Sequence, residues 1–336
     1  TLLRTRPHWY IDLGLRSPVL WRVFRLMLPR VAGLGLFLLN FQLAINIASR
    51  MSEGAVSAFS WGWKLMQIPE TLIGTAMGTV IFPTLAALSE LNDQNGKREA
   101  MSGALRFILI ATIPSAVGLV MVGRTGLSLL EGRAFDAAAT DLVYSTLRFF
   151  SLGLVVHSVL EVVARSFYAD KDTYTPLWAA VAGAVVNLGL SLLLTGMSVG
   201  DFLSNSGTLD SANVGYLALA NSVGFGFEVL LLLWLLQRRW HGIGANALAR
   251  TSVKTLAASL VMALALLLDA GWRALGLSGR GLALTIVELG LQVIIGLIVF
   301  IVAAWLLRIE EVKTVLNIVR VRVVAIVGRR PTSEAA

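Results

Sequence analysis

Cysteine is absent from the 336 residues, and histidine occurs three times, at His8, His157 and His241. The chain therefore holds no disulfide framework, thiolate nucleophile or cysteine zinc site. Three widely separated imidazoles do not make a histidine metal centre either. Charge is scarce as well: Asp, Glu, Lys and Arg make up 14% of residues, against roughly 25% in an average soluble domain. A phosphate loop of the form G-x-x-x-x-G-K-[ST] is missing, which removes ATP hydrolysis by that device. No paired carboxylates, Ser/His/Asp set or metal cluster marks an enzyme, and nothing calls for a cofactor. The formal charge of +8 is not gathered on one basic helix or stripe, so nucleic acid is not an expected partner. The first residue is Thr, and no basic-then-apolar segment with a cleavage site leads into the first apolar run. The chain is therefore expected to be a fragment or a processed form.

What is present is apolar length. Hydrophobic residues make up 56% of the chain and mean hydropathy is +0.76. Thr173 to Gly200 runs 28 residues without a charge, more than the roughly 20 that cross a bilayer. Eight such segments can be marked: Leu28 to Ala48, Val56 to Leu88, Phe107 to Val122, Leu142 to Phe167, Leu177 to Leu194, Val214 to Leu236, Leu256 to Trp272 and Leu282 to Leu307. Because lipid cannot satisfy backbone groups, all eight are expected to be helices, giving an all-α polytopic membrane protein. Of the 28 Lys and Arg, 21 fall on the side of the termini, with Arg30 and Arg165 at the ends of their segments counted to the adjoining basic flanks, five fall on the other side, and two, Lys64 and Arg148, lie deeper within spans. That bias predicts that both termini are cytoplasmic. Residues 1–27 and 308–336 read as basic flanking segments. Before the first span, Arg16, Arg22 and Arg25 are interleaved with Trp21, Phe24 and Met27; after the last, Val312, Val315, Val319 and Val323 recur at helical spacing among basic residues. Both ends are either interfacial helices on the inner leaflet or ordinary basic anchors of the neighbouring spans. Gly196 to Asn213 is a polar loop expected outside the cell.

Polar side chains within the spans fall at three- and four-residue spacing, on single helix faces. These stripes are Gln42, Asn46 and Ser49; Ser60, Lys64, Gln67 and Thr71; Asn187, Ser191 and Thr195; Asn221 and Glu228; and Thr285, Glu288 and Gln292. They either glue helices together through hydrogen bonds or converge on a wet cavity. Asn187, Ser191, Asn221 and Glu228 are accordingly expected to serve as bundle contacts or an ion site. Lys64 stands out. Ten residues from Gly54 at about 1.5 Å each put it roughly 15 Å deep, near the middle of a core about 30 Å thick. A charge there costs about 3 kcal/mol on insertion scales, so it calls for water, an anion, or a buried pair with Glu70 or Glu228. Pro69 cannot donate to the Leu65 carbonyl and should kink the helix. Gly74 and Gly78 allow close helix approach and Pro83 supplies another bend, so these four positions read as a hinge. Glu161 and Arg165, four apart with the acid first, read as a helix-surface pair.

The run AINIASRMSEGAVSAFSWGWKLMQIPETLIGTAMGTVIFPTLAALSE, with IPSAVGL, LLEGRAFD and FYADKDTYTP, resembles the MurJ (MviN) family of lipid II flippases in the MOP exporter superfamily. Family members have fourteen helices: an N-lobe of six, a C-lobe of six and two more at the end. The chain resembles helices seven to fourteen. The resemblance thus implies a C-lobe over residues 28–239, two additional helices over 240–307 forming an apolar groove for a lipid tail, and a separate N-lobe as partner. It implies an inner-membrane protein that exports undecaprenyl-pyrophosphate-linked peptidoglycan precursor by alternating access. Lys64 falls where the family usually carries a cavity arginine, which makes Lys64, Ser60, Gln67, Gln42 and Asn46 the expected substrate-binding set. Some members bind sodium through acidic groups on the helices matching spans one and five; span one here has no acid and span five offers Asn187 and Ser191. A pyrophosphate leaving a negative interior gains about 2.3 kcal/mol per charge per 100 mV, so the membrane potential can supply the driving force. An exporter of another polyprenyl-linked oligosaccharide or of drugs, or a non-transporting scaffold, is the alternative.

Overall fold

The computed structural model describes residues 18–132, 135–209, 213–272, 282–309 and 311. Apart from one isolated bridge between Gly132 and Phe135, these residues form helices and their connecting turns. The helices are α1 (Pro18–Ala48), α2 (Ala55–Glu70), α3 (Ala76–Glu90), α4 (Gln94–Ser128), α5 (Ala137–Ala169), α6 (Tyr174–Thr195), the short α7 (Val199–Leu203), α8 (Gly215–Arg239), α9 (Ala245–Trp272) and α10 (Leu282–Leu306). A π-helical turn over Thr71–Thr75 joins α2 to α3, so the two form one span. Among the described residues, eight helices are long and apolar enough to cross a membrane.

Several helices outrun their apolar segments, for a local reason. Asp93 accepts a hydrogen bond from the Gly96 amide at 2.9 Å and starts α4, and Asp136 accepts from the Ala139 amide at 2.8 Å and starts α5. Such caps satisfy amides that have no partner within the helix, and they begin polar turns that hydropathy does not register. Residues 18–27, read in the sequence as a flanking segment, continue α1 unbroken. The 31 residues of α1 span roughly 46 Å at about 1.5 Å each, well beyond the hydrocarbon core. The helical pattern expected at 312–336 lies outside the described residues.

Pro69 lies in the last turn of α2, and the π-helical turn follows at once. This is the irregularity a mid-span proline is expected to force. There the helix meets α5 closely: a Cβ on Gly74 would lie 2.7 Å from the Cα of Ser158, a distance only glycine permits. Gly78, one turn on, faces the side chain of Arg165.

Helix α5 is the hub, packed against α2, α3, α4 and α8, while α6 lies between α1 and α8. The lateral order is thus α1, α6, α8, α5 and α4. The α9–α10 pair attaches to the outside of α4, with its own apolar cluster of Ala258, Met262, Leu266, Phe300 and Ala304. One end of the bundle is fastened by Asp170, in the α5–α6 connection. It accepts from Lys97 of α4 at 2.9 Å, Ser89 of α3 at 2.7 Å and the indole of Trp240, just past α8, at 3.1 Å. The other end is fastened by Arg50, after α1. Its guanidinium donates to the carbonyls of Asp201 at 2.9 Å and Ser206 at 2.7 Å, and to the side chains of Asn46 and Asn205.

Candidate functional site

Helices α1 and α2 touch each other little, α1 resting on α6 and α2 on α5. The gap becomes a cavity of about 540 Å³ walled by α1, α2, the π-helical turn, α5, α6 and α8. Its exposed lining residues, Arg30, Leu34, Gln67 and Thr71, all lie on α1, α2 and the π-helical turn, so the cavity is open along the gap between α1 and α2.

The inner wall is aromatic. Phe37, Trp63, His157 and Phe225 line the cavity, with His157 edge-on to Trp63 at 5.1 Å and tilted against Phe225 at 4.2 Å. The buried His157 ring hydrogen-bonds through Nε2 to the Asn221 side-chain oxygen at 3.3 Å. Since that oxygen can only accept, Nε2 carries the hydrogen.

Five charged side chains line the same space: Arg30, Glu70, Glu161, Arg165 and Glu228. Arg165 pairs with Glu161 one turn before it, as the spacing predicts. The Arg30 guanidinium sits 5.4 Å from the centre of the Tyr168 ring. Glu70 is buried and accepts long hydrogen bonds from Thr71 at 3.4 Å and Thr75 at 3.3 Å. Glu228 is buried too, and among the described residues it has neither a hydrogen bond nor an ion pair. Gly183 of α6, opposite it, and Gly224, one turn before it on α8, bring the two helices together: a Cβ on Gly224 would lie 2.6 Å from the Cβ of Asn187.

The residues singled out in the sequence are therefore divided. Gln67 and Glu228 line the cavity. Asn187 and Ser191 lie beyond its inner end, where Asn187 donates to Asn40, Asn40 donates to the Ala184 carbonyl at 3.2 Å, and Ser191 donates to Asn187 at 3.2 Å. Asn221 holds His157. Asn46 is taken up by Arg50 and by Asn205, just after α7, while Gln42 is exposed and Ser60 half-buried. Lys64 is outside the cavity. It is exposed on the open face of α2, with its ammonium 5.3 Å from the centre of the Trp61 ring, and among the described residues it forms no ion pair with Glu70 or Glu228. Pro69, Gly74, Gly78 and Pro83 lie along the broken α2–α3 span.

Sequence reasoning missed Arg30 and Asn40, reading Arg30 as part of a basic flank. The signal was a single face of α1, on which Arg30, Gly33, Phe37 and Asn40 recur at three- and four-residue spacing. A second space, an apolar groove of about 360 Å³, lies between α4, α5 and α9 and is lined by Val117, Leu152, Val155 and Leu256 among others.

Broken helical spans beside a cavity lined by polar groups recur in membrane transporters. Solved structures agree on the fold. A lipid II flippase MurJ in an inward closed conformation superposes with a TM-score of 0.65 at 21% identity, covering 93% of this chain and 59% of that one. A MATE transporter in a bent conformation gives 0.55 at 15% identity, covering 91% and 70%. The chain thus shares its fold with these transporters, and among the described residues eight helices are long and apolar enough to cross a membrane.

The sequence defines the family more narrowly. The family model described as lipid II flippase MurJ matches residues 2–277. A probable lipid II flippase MurJ of Rhizobium tropici is 30% identical over 306 residues, which is 89% of this chain and 55% of the relative. The lipid II flippase MurJ of Burkholderia cenocepacia is 29% identical over 253 residues, covering 74% and 46%. The chain belongs to the MurJ family of lipid II flippases, a family of bacterial inner-membrane transporters rather than catalysts, and it spans about half the length of the curated relatives it matches.

Proposed function

We propose that the chain is the C-terminal portion of a lipid II flippase, which exports undecaprenyl-pyrophosphate-linked peptidoglycan precursor by alternating access against a partner N-lobe. The observation that carries this reading is Lys64: a cation ten residues into α2, on the open face of the helix, with no ion pair among the described residues. In lipid such a charge is costly without water or an anion beside it, and the pyrophosphate of the precursor is an anion of the required kind. The open faces of α1 and α2 are then the surface that meets the N-lobe. The groove between α4, α5 and α9 is apolar enough for the lipid tail. Both termini lie in the cytoplasm in this reading, as the charge bias requires.

The test uses the chain joined to its N-lobe. Lys64→Ala is expected to abolish lipid II export with little change in melting temperature, because no carboxylate is stranded by its loss. Lys64→Arg is expected to retain export, since guanidinium matches phosphate oxygens through two parallel hydrogen bonds. A stable Lys64→Ala protein exporting at the parental rate removes Lys64 from the mechanism.

A further inference from the structure

The cavity holds one feature that the cargo reading leaves unused. Glu228 is 6% exposed, lines the cavity, and among the described residues has no hydrogen-bond donor and no cation paired to it. An ionised carboxylate in that position is strongly disfavoured, because desolvation is not offset by a partner.

The groups facing it from each neighbouring helix do not supply that partner. Helix α5 contributes His157, Glu161, Arg165 and Tyr168; α1 contributes Arg30; α2 contributes Glu70. Arg165 is committed to Glu161, Arg30 lies over Tyr168, and His157 is held by Asn221. Helix α6 presents no titratable group to the cavity; its Gly183 lies against Glu228, where a Cβ would come 3.0 Å from the Cβ of Glu228 and 3.4 Å from Oε2. With Arg30 and Arg165 set against Glu70, Glu161 and Glu228, the ionised cavity is one negative charge in excess. A divalent ion needs several oxygen ligands, and among the described residues no group of three or more His, Asp or Glu is arranged to hold a metal ion. A proton needs no ligand beyond the one carboxylate.

We propose that Glu228 is a reversible proton site, loaded from water through the open gap of the cavity between α1 and α2. Hydronium gives its proton to the carboxylate and leaves as water, and release reverses the step, so the cavity changes by one unit of charge.

The experiment is an infrared titration of the 336-residue chain in lipid nanodiscs, following the C=O stretch of protonated carboxyl groups as pH is lowered. The expected result is a buried-carboxyl band that is lost in Glu228→Gln and kept in Glu70→Gln. Glu228→Asp should shift its frequency and midpoint, which provides a second reading if Glu228→Gln does not fold. A band of parental amplitude in folded Glu228→Gln, or no change in frequency and midpoint in Glu228→Asp, overturns the proposal. Loss of the band when sodium chloride replaces choline chloride at constant pH also overturns it, because the carboxylate then holds a metal ion instead.

Discussion

Asp170→Ala should destabilise the chain by about 3–5 kcal/mol, the usual consequence of removing one partner from a buried ion pair. The expectation follows from where the pair sits. The Lys97 and Asp170 side chains are 4% and 8% exposed, and loss of the carboxylate strands the ammonium, the Ser89 hydroxyl and the Trp240 indole together. The pair between Arg124 and Asp141 is shorter, 2.7 Å against 2.9 Å, but its side chains are 52% and 59% exposed. Arg124→Ala should therefore cost no more than about 1 kcal/mol. Environment, not distance, decides the difference. Reversible unfolding in mixed micelles, followed by tryptophan fluorescence, measures both variants. A Lys97→Met, Asp170→Leu double variant should recover most of the loss, because apolar groups then replace both charges.

The effect should also depend on pH. Burial works against the charge on Asp170, but hydrogen bonds from Lys97, Ser89 and Trp240 outweigh it and hold the carboxyl below its ordinary value of 3.8. Asp172 is lowered likewise, with burial opposed by the Thr175 amide and hydroxyl and by Arg239. A carboxyl depressed in the folded state binds protons more readily when unfolded. Its contribution is thus complete above the ordinary value and disappears as pH falls through the folded one. Parent and Asp170→Ala should differ fully at pH 7 and converge in acid. An Asp170→Ala protein no less stable at pH 7 than Arg124→Ala would refute the reasoning.

Two further outcomes are expected. Gly74→Ala should lower stability by about 1–3 kcal/mol, because the new methyl meets the Ser158 backbone rather than a yielding side-chain end. Gly103→Ala, with nothing within 4 Å of the added carbon, should be neutral or slightly stabilising; equal melting temperatures for the two variants would contradict this account of the α2–α5 contact. In a chain with no native cysteine, a cysteine at Ser204 should react with an impermeant maleimide in intact cells while one at Ser333 should need permeabilisation, and reversed labelling would invert the proposed orientation.

The sequence by itself determined the class of structure and the number of crossings. A bilayer accepts only long apolar helices with internally satisfied backbones, so hydropathy marks the spans. The break after Pro69 was likewise legible, because a missing amide acts on its own helix whatever surrounds it, and the Glu161–Arg165 pair could be read from spacing within one turn. The lateral order of the helices was not legible in this way. Apolar side chains gain little by choosing a helical neighbour over lipid, so association depends on close fit at small residues and a few polar contacts, which leave no period in the sequence.

That order decided which polar faces meet. It turned Lys64 to the open face of α2, away from Glu70 and Glu228. It set Asn40 against Asn187, 147 residues later, through the α1–α6 contact. Helices α1, α2, α5 and α8, widely spaced in sequence, brought Arg30, Glu70, Glu161, Arg165 and Glu228 around one cavity. Each of these residues could be seen as polar in its own segment; only the packing of α6 against α8 at Gly183 and Gly224 left Glu228 buried there without a partner among the described residues, because two glycines let those backbones approach more closely than any side-chain pattern records.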